Sequence, residues 1–97
     1  MKIIKTVNEF FDWRSKINSS LGFIPTMGAL HEGHLSLVKK SKTQCDVSVV
    51  SIFVNPTQFA ENEDFSSYPK TLNSDIQNLE YLNVDVLFLP NEKEMYE

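Results

Sequence analysis

Several residues that usually announce a function are scarce in this sequence. Cys45 is the one cysteine among 97 residues, so no internal disulfide can form, and that usage suits a reducing compartment. Cations are also few: 9 Lys and Arg stand against 13 Asp and Glu, a net charge of −4. Nucleic-acid backbone binding needs clustered Lys and Arg. The nearest cluster, Lys39, Lys40 and Lys42, reads as the solvated face of a helix, so no nucleic-acid partner is expected. Long apolar runs are missing too. None approaches the roughly 20 residues that span a bilayer. The N-terminal stretch MKIIKTVNEFFDWRS has neither an uninterrupted apolar segment nor a small-residue cleavage site. No membrane partner is expected, and the composition reads as that of a soluble, cytoplasmic protein. There is no internal repeat and no low-complexity segment. The length allows one domain with a single modest core.

Familiar site signatures are absent as well. The dinucleotide fingerprint G-x-G-x-x-G does not occur. Gly28 and Gly33 have the glycine spacing of a Walker A loop, but His34-Leu35 stands where Lys-Ser/Thr is required. His31 and His34 lie three positions apart rather than the four of a zincin helix, and no third ligand is evident, so a metal site of His31, His34 and Cys45 is not expected.

What is present alternates between strands and helices. Ile3-Ile4 reads as a very short strand. Thr6 with Glu9 has the form of a capping box, and Val7, Phe10, Phe11 and Ile17 recur at helical spacing over residues 7–18. Phe10, Phe11 and Trp13 read as core. A strand over 21–25 leads through a glycine turn to a helix from His31 to about Ser41. The β-branched run 46–54 reads as a strand buried on both faces, ended by Asn55-Pro56. Residues 55–69 read as a polar, acidic loop, residues 71–82 as a helix, and 84–89 as a further strand before Pro90. Leaving aside the short stretch at Ile3-Ile4, strand, helix, strand, helix, strand predicts an α/β fold with a three-stranded parallel sheet. This is a Rossmann-like arrangement with flanking helices, half of a doubly wound nucleotide-binding domain. So small a sheet leaves edges and a face uncovered, so a homodimer or a larger parent chain is expected.

The chemistry concentrates in two stretches. In GFIPTMGALHEGH, residues 22–34, a strand meets a glycine turn and two histidines at a helix start. That is where open α/β sheets bind ligands, and where unpaired N–H groups and the helix dipole suit a phosphate. His31 and His34 can aim at one region and donate to phosphate oxygens, or they can be ordinary helix-start residues, one of them capping. The second stretch, FVNPTQF at 53–59, lies past the carboxyl end of the next strand. Asn55 and Gln58 offer amide groups suited to a small polar substrate, although Asn55-Pro56 is also plain turn chemistry.

PTMGALHEGH and SIFVNPTQF, with the later YPKT and the final MY, closely resemble the N-terminal region of the pantoate–β-alanine ligase family. The first motif is a variant of the H-x-G-H signature of the nucleotidyltransferase superfamily. The second narrows the resemblance to the family. The family joins pantoate to β-alanine with ATP and Mg²⁺, through pantoyl adenylate, in the synthesis of pantothenate. The resemblance implies that Met27, Gly28, Ala29, Leu30, His31, Glu32, Gly33 and His34 line the ATP site. His34 would be the general acid and His31 a second phosphate contact. Gln58 would hold pantoate near β-alanine, with Asn55 beside it. Pro25, Thr26 and Met27 would form the pocket wall, and Ala60 to Tyr68 a flap. The family's further lysine motif, second glutamine, S-S-R-N-like loop and C-terminal domain do not occur in residues 1–97. These residues are therefore expected to form the N-terminal portion of the domain, and to be inactive alone. Two other readings are an adenylyltransferase of the superfamily with a different acid, and a non-catalytic, self-associating nucleotide-binding fragment.

Overall fold

The computed structural model describes residues 1–53 and 68–90. Its elements run β1 (Lys2–Ile4), α1 (Val7–Ser15), β2 (Leu21–Thr26), α2 (Glu32–Gln44), β3 (Val47–Ile52), α3 (Tyr68–Tyr81) and β4 (Val86–Phe88). The four strands form one parallel sheet in the order β1-β4-β3-β2. The α/β reading holds, and the sheet has one strand more than the three-stranded core expected. The short Ile3-Ile4 stretch pairs in register with Leu87 and Phe88, beside the last strand rather than the next one.

Alternation along the strands builds two cores. On one face Ile24, Val50, Ile52 and Leu87 pack with Val38 of α2 and Leu79 of α3. On the other, Ile4, Val49, Val86 and Phe88 meet Val7, Phe10 and Trp13 of α1. Helices therefore cover both faces, and the expected bare face is absent because α1 lies across it. Each fully buried aliphatic side chain contributes about 1.5–3 kcal/mol. Aromatic packing adds to the second core: the rings of Phe10 and Phe88 are 4.7 Å apart, and Phe10 and Trp13 5.8 Å. Phe11, expected in the core, is instead 64% exposed.

The element ends differ from the sequence expectation for identifiable reasons. The helix α1 stops at Ser15 because its last turn tightens, with Lys16 N donating to Trp13 O and Ile17 N to Arg14 O. No glycine or proline breaks α2, which runs on to Gln44. The start of α3 falls at Tyr68, because Pro69 is tolerated in a first turn. At its other end Asn83 takes a left-handed φ of 59°. There Val84 N donates to Leu79 O and Asn83 N to Glu80 O, the Schellman pattern that keeps Val84 out of the strand. Among the described residues no helix is long and apolar enough to cross a membrane.

Candidate active site

The strand β2 ends at Thr26, whose buried hydroxyl donates to the Ser51 carbonyl at 3.0 Å and accepts the Gly28 N–H at 3.2 Å. The chain then turns through two left-handed residues, Gly28 at φ 92° and Ala29 at φ 51°. Glycine takes that conformation freely, whereas alanine resists it by about 1–2 kcal/mol. The resistance is overcome from α3. Asp75, 2% exposed, accepts the Ala29 N–H through Oδ2 and the Leu30 N–H through Oδ1, each at 2.9 Å. Hydrogen bonds to a charged group are worth about 1.5–3 kcal/mol apiece, so the pair outweighs the strain.

Next comes the head of α2. His31 is its N-cap, with extended backbone, and its Nδ1 accepts the Gly33 N–H at 3.0 Å. His34, three residues on, returns the bond: its Nδ1 accepts the His31 N–H at 3.2 Å. Two imidazoles thus form a reciprocal capping box, a role usually given to Ser or Thr with Glu or Gln. Gly33 is required for close approach, since a Cβ there would lie 2.9 Å from His31 Cε1. A ring nitrogen that accepts a hydrogen bond carries no proton, which places the proton of each neutral ring on Nε2. The two rings lie with centroids 4.1 Å apart. Both can therefore present an Nε2–H donor beside the positive end of the helix dipole. Both sequence readings of the pair, capping and donation, are compatible, because they use different nitrogens.

On the opposite face of the sheet, at the same strand ends, lies a cavity of about 380 Å³. Its walls are Phe23, Pro25 and Met27 from β2 and its exit, Phe53 after β3, and Phe88 and Pro90 after β4, with the Thr26 and Ser51 side chains as the polar exceptions. Pro25, Thr26 and Met27 are thus among the residues that line this cavity. The Thr26 proton is already committed to Ser51.

The glycine turn and both histidines lie together at the head of α2, with Glu32 exposed in its first turn. Asn55, Gln58 and the expected flap as far as residue 67 lie outside the described residues. Cys45 is half-buried at the end of α2. Among the described residues no group of three or more His, Cys, Asp or Glu side chains gathers as a metal site would. Sequence reasoning missed Asp75. A signal was there: an acidic residue beside the apolar stripe of Leu72, Ile76 and Leu79 is out of place on a buried helix face unless something claims its charge. It also missed Ser51, Phe88 and Pro90, which strand alternation brings to the cavity.

Comparison with known proteins gives one consistent result. The model of the family described as pantoate-beta-alanine ligase matches residues 2–97. A pantothenate synthetase of Fervidobacterium nodosum is 54% identical over 99 residues, a match covering 99% of this chain and 35% of that protein. Among solved structures, the Francisella tularensis pantoate-beta-alanine ligase, complexed with beta-gamma ATP and beta-alanine, superposes with a TM-score of 0.85 at 51% identity. The match covers 99% of this chain and 38% of that one. The Thermus thermophilus pantothenate synthetase gives a TM-score of 0.79 at 42% identity, over 99% of this chain and 34% of its own. The chain thus spans a little over a third of the length of these relatives.

Proposed function

The chain belongs to the pantoate–β-alanine ligase family, and from that premise we propose that residues 1–97 are the N-terminal, nucleotide- and pantoate-facing portion of an enzyme that makes pantothenate from pantoate, β-alanine and ATP. The observation that carries the reading is the reciprocal histidine cap, which leaves two Nε2–H donors at a helix N-terminus, at the same strand ends as an apolar cavity on the other face of the sheet.

In the first half-reaction a pantoate carboxylate oxygen attacks the α-phosphorus of ATP, the bond to the bridging oxygen breaks, and pyrophosphate leaves. Charge grows on the phosphoryl oxygens and on the departing group. Donors already oriented toward that charge stabilise it without reorganisation. His34 and His31 supply them, and His34 is the residue assigned to the general-acid role. In the second half-reaction the β-alanine amine attacks the acyl carbon and AMP leaves. Met27 to His34 border the nucleotide. Pro25, Thr26 and Met27, with the aromatic walls, enclose the branched aliphatic body of pantoate, and Gln58 and Asn55 bind its polar groups. Mg²⁺ accompanies the ATP phosphates. Among the described residues no cluster gathers to hold it. The β2 edge of the sheet and the lone thiol support a cytoplasmic homodimer as the working assembly.

Pantoate-dependent ATP–pyrophosphate exchange tests the proposal. The expected result is no exchange from residues 1–97 alone, and exchange from a chimera that continues them with the remainder of the Francisella relative. A chimera that ignores pantoate and responds to another carboxylic acid belongs to a different adenylyltransferase. Sedimentation showing only monomer would remove the homodimer.

A further inference from the structure

We propose that Asp75 is a positioning residue of the nucleotide site: it occupies the anion-binding nest of the glycine turn, and so passes phosphate recognition from the backbone to the imidazoles. The inference rests on the nucleotide-binding reading above.

Successive amides in a turn with left-handed residues form a concavity that attracts anions, as in phosphate-binding loops. Here that concavity is already filled by a carboxylate of the same chain. The side chain of Asp75 comes from α3, 45 and 46 residues away, and each of its oxygens takes one amide. A phosphate entering the nest would have to displace a buried charge that has no other described hydrogen-bond partner, which is costly.

The neighbouring amides are committed in the same manner. Gly28 N–H goes to the Thr26 hydroxyl, His31 N–H to His34 Nδ1 and Gly33 N–H to His31 Nδ1. Five amides between residues 28 and 33 are thus held by side chains of this chain. A glycine loop that cradles phosphate keeps such amides open. This turn closes those five, and an anion meets the Nε2–H of each histidine, with the Glu32 N–H as the amide in this stretch for which no partner is described. Asp75 is what makes that division possible. It fixes Ala29 and Leu30, and Leu30 sets the entry of His31 into the cap.

Nuclear magnetic resonance on the 15N-labelled chain decides the matter. On native protein titrated with inorganic triphosphate, the Nε2 resonances of His31 and His34 are expected to move most. A larger shift at the Ala29 and Leu30 amides would overturn the proposal. Asp75→Asn leaves one acceptor oxygen and turns an NH₂ toward the other amide. Its expected effect is amide exchange at least about tenfold faster at Ala29 and Leu30, with core amides at Val50 and Leu87 unchanged and ATP bound at least about tenfold more weakly. The histidine rings should also lose their single Nε2–H tautomer. Exchange rising equally through the core would mark Asp75 as merely structural. Unchanged or tighter ATP binding with the two amides released would end its role in the site. A chimera with native residues 1–97 that binds no ATP would instead remove the nucleotide reading, while the exchange and tautomer results still judge the positioning.

Discussion

Two helices of this chain open with a polar residue followed three positions later by another, and the two pairs behave differently. At α1 the pair is Thr6 and Glu9, the expected chemistry of a capping box. The Thr6 hydroxyl accepts the Glu9 N–H at 3.1 Å, and no return bond from the Glu9 side chain is among those described. At α2 the pair is His31 and His34, and both halves of the box are made. A hydroxyl that accepts the cap bond can still donate, but only from the same oxygen, held close against the backbone. An imidazole caps with one nitrogen and keeps a second, about 2 Å further out, for another partner. The cap at α1 ends a helix. The cap at α2 ends a helix and orients two donors.

Substitutions can break or sharpen that contrast. The largest effect should come from His34→Ala in the chimera, with pantoate-dependent exchange falling at least about a hundredfold, the size typical of a lost oxyanion donor. Unchanged exchange would take His34 out of the reaction. His34→Asn separates the two nitrogens, because its amide oxygen can replace Nδ1 while nothing replaces Nε2. Its exchange rate should fall as far as that of the alanine variant, with thermal stability held within about 0.5 kcal/mol of native. Gly33→Ala pushes a Cβ against His31 and should cost about 1–3 kcal/mol in denaturant unfolding, because the cap must open to admit it. Thr6→Ala should cost only about 1 kcal/mol and leave exchange within twofold of native, since that cap faces no ligand. A comparable loss of exchange from Thr6→Ala would erase the distinction between the two helix heads.

The fold was readable wherever a local pattern had a local cause. The β-branched run of β3 and the stripe of α3 each follow from residues within a few positions of one another. The position of β1 was not readable, because a three-residue strand has no period to recognise and its partner lies more than 80 residues on. The histidines could be singled out by spacing, but a residue pair at i and i+3 cannot say which nitrogen faces which way. Asp75 escaped notice for a similar reason. Its partners are two backbone amides, which carry no side-chain signature in a sequence. Among the cavity walls, Phe88 and Pro90 come into view only after β3 and β4 are known to be neighbours.

The parallel pairing of β1 with β4 has a consequence for the order of assembly. Of the described strands, the first to leave the ribosome is docked by the last, and the Ile4 carbonyl accepts the Leu89 N–H. Until β4 emerges, β1 has no neighbour in the sheet and the apolar side of α1 lacks Phe88, its nearest aromatic partner. The β2-α2-β3 unit, by contrast, can pair as soon as Ile52 is out. Synthesis should therefore release a middle that folds early and a beginning that waits, with Phe10 and Trp13 exposed meanwhile. Closing so long a stretch of chain is slow. During that interval the nascent protein is most in need of a chaperone and most open to aggregation.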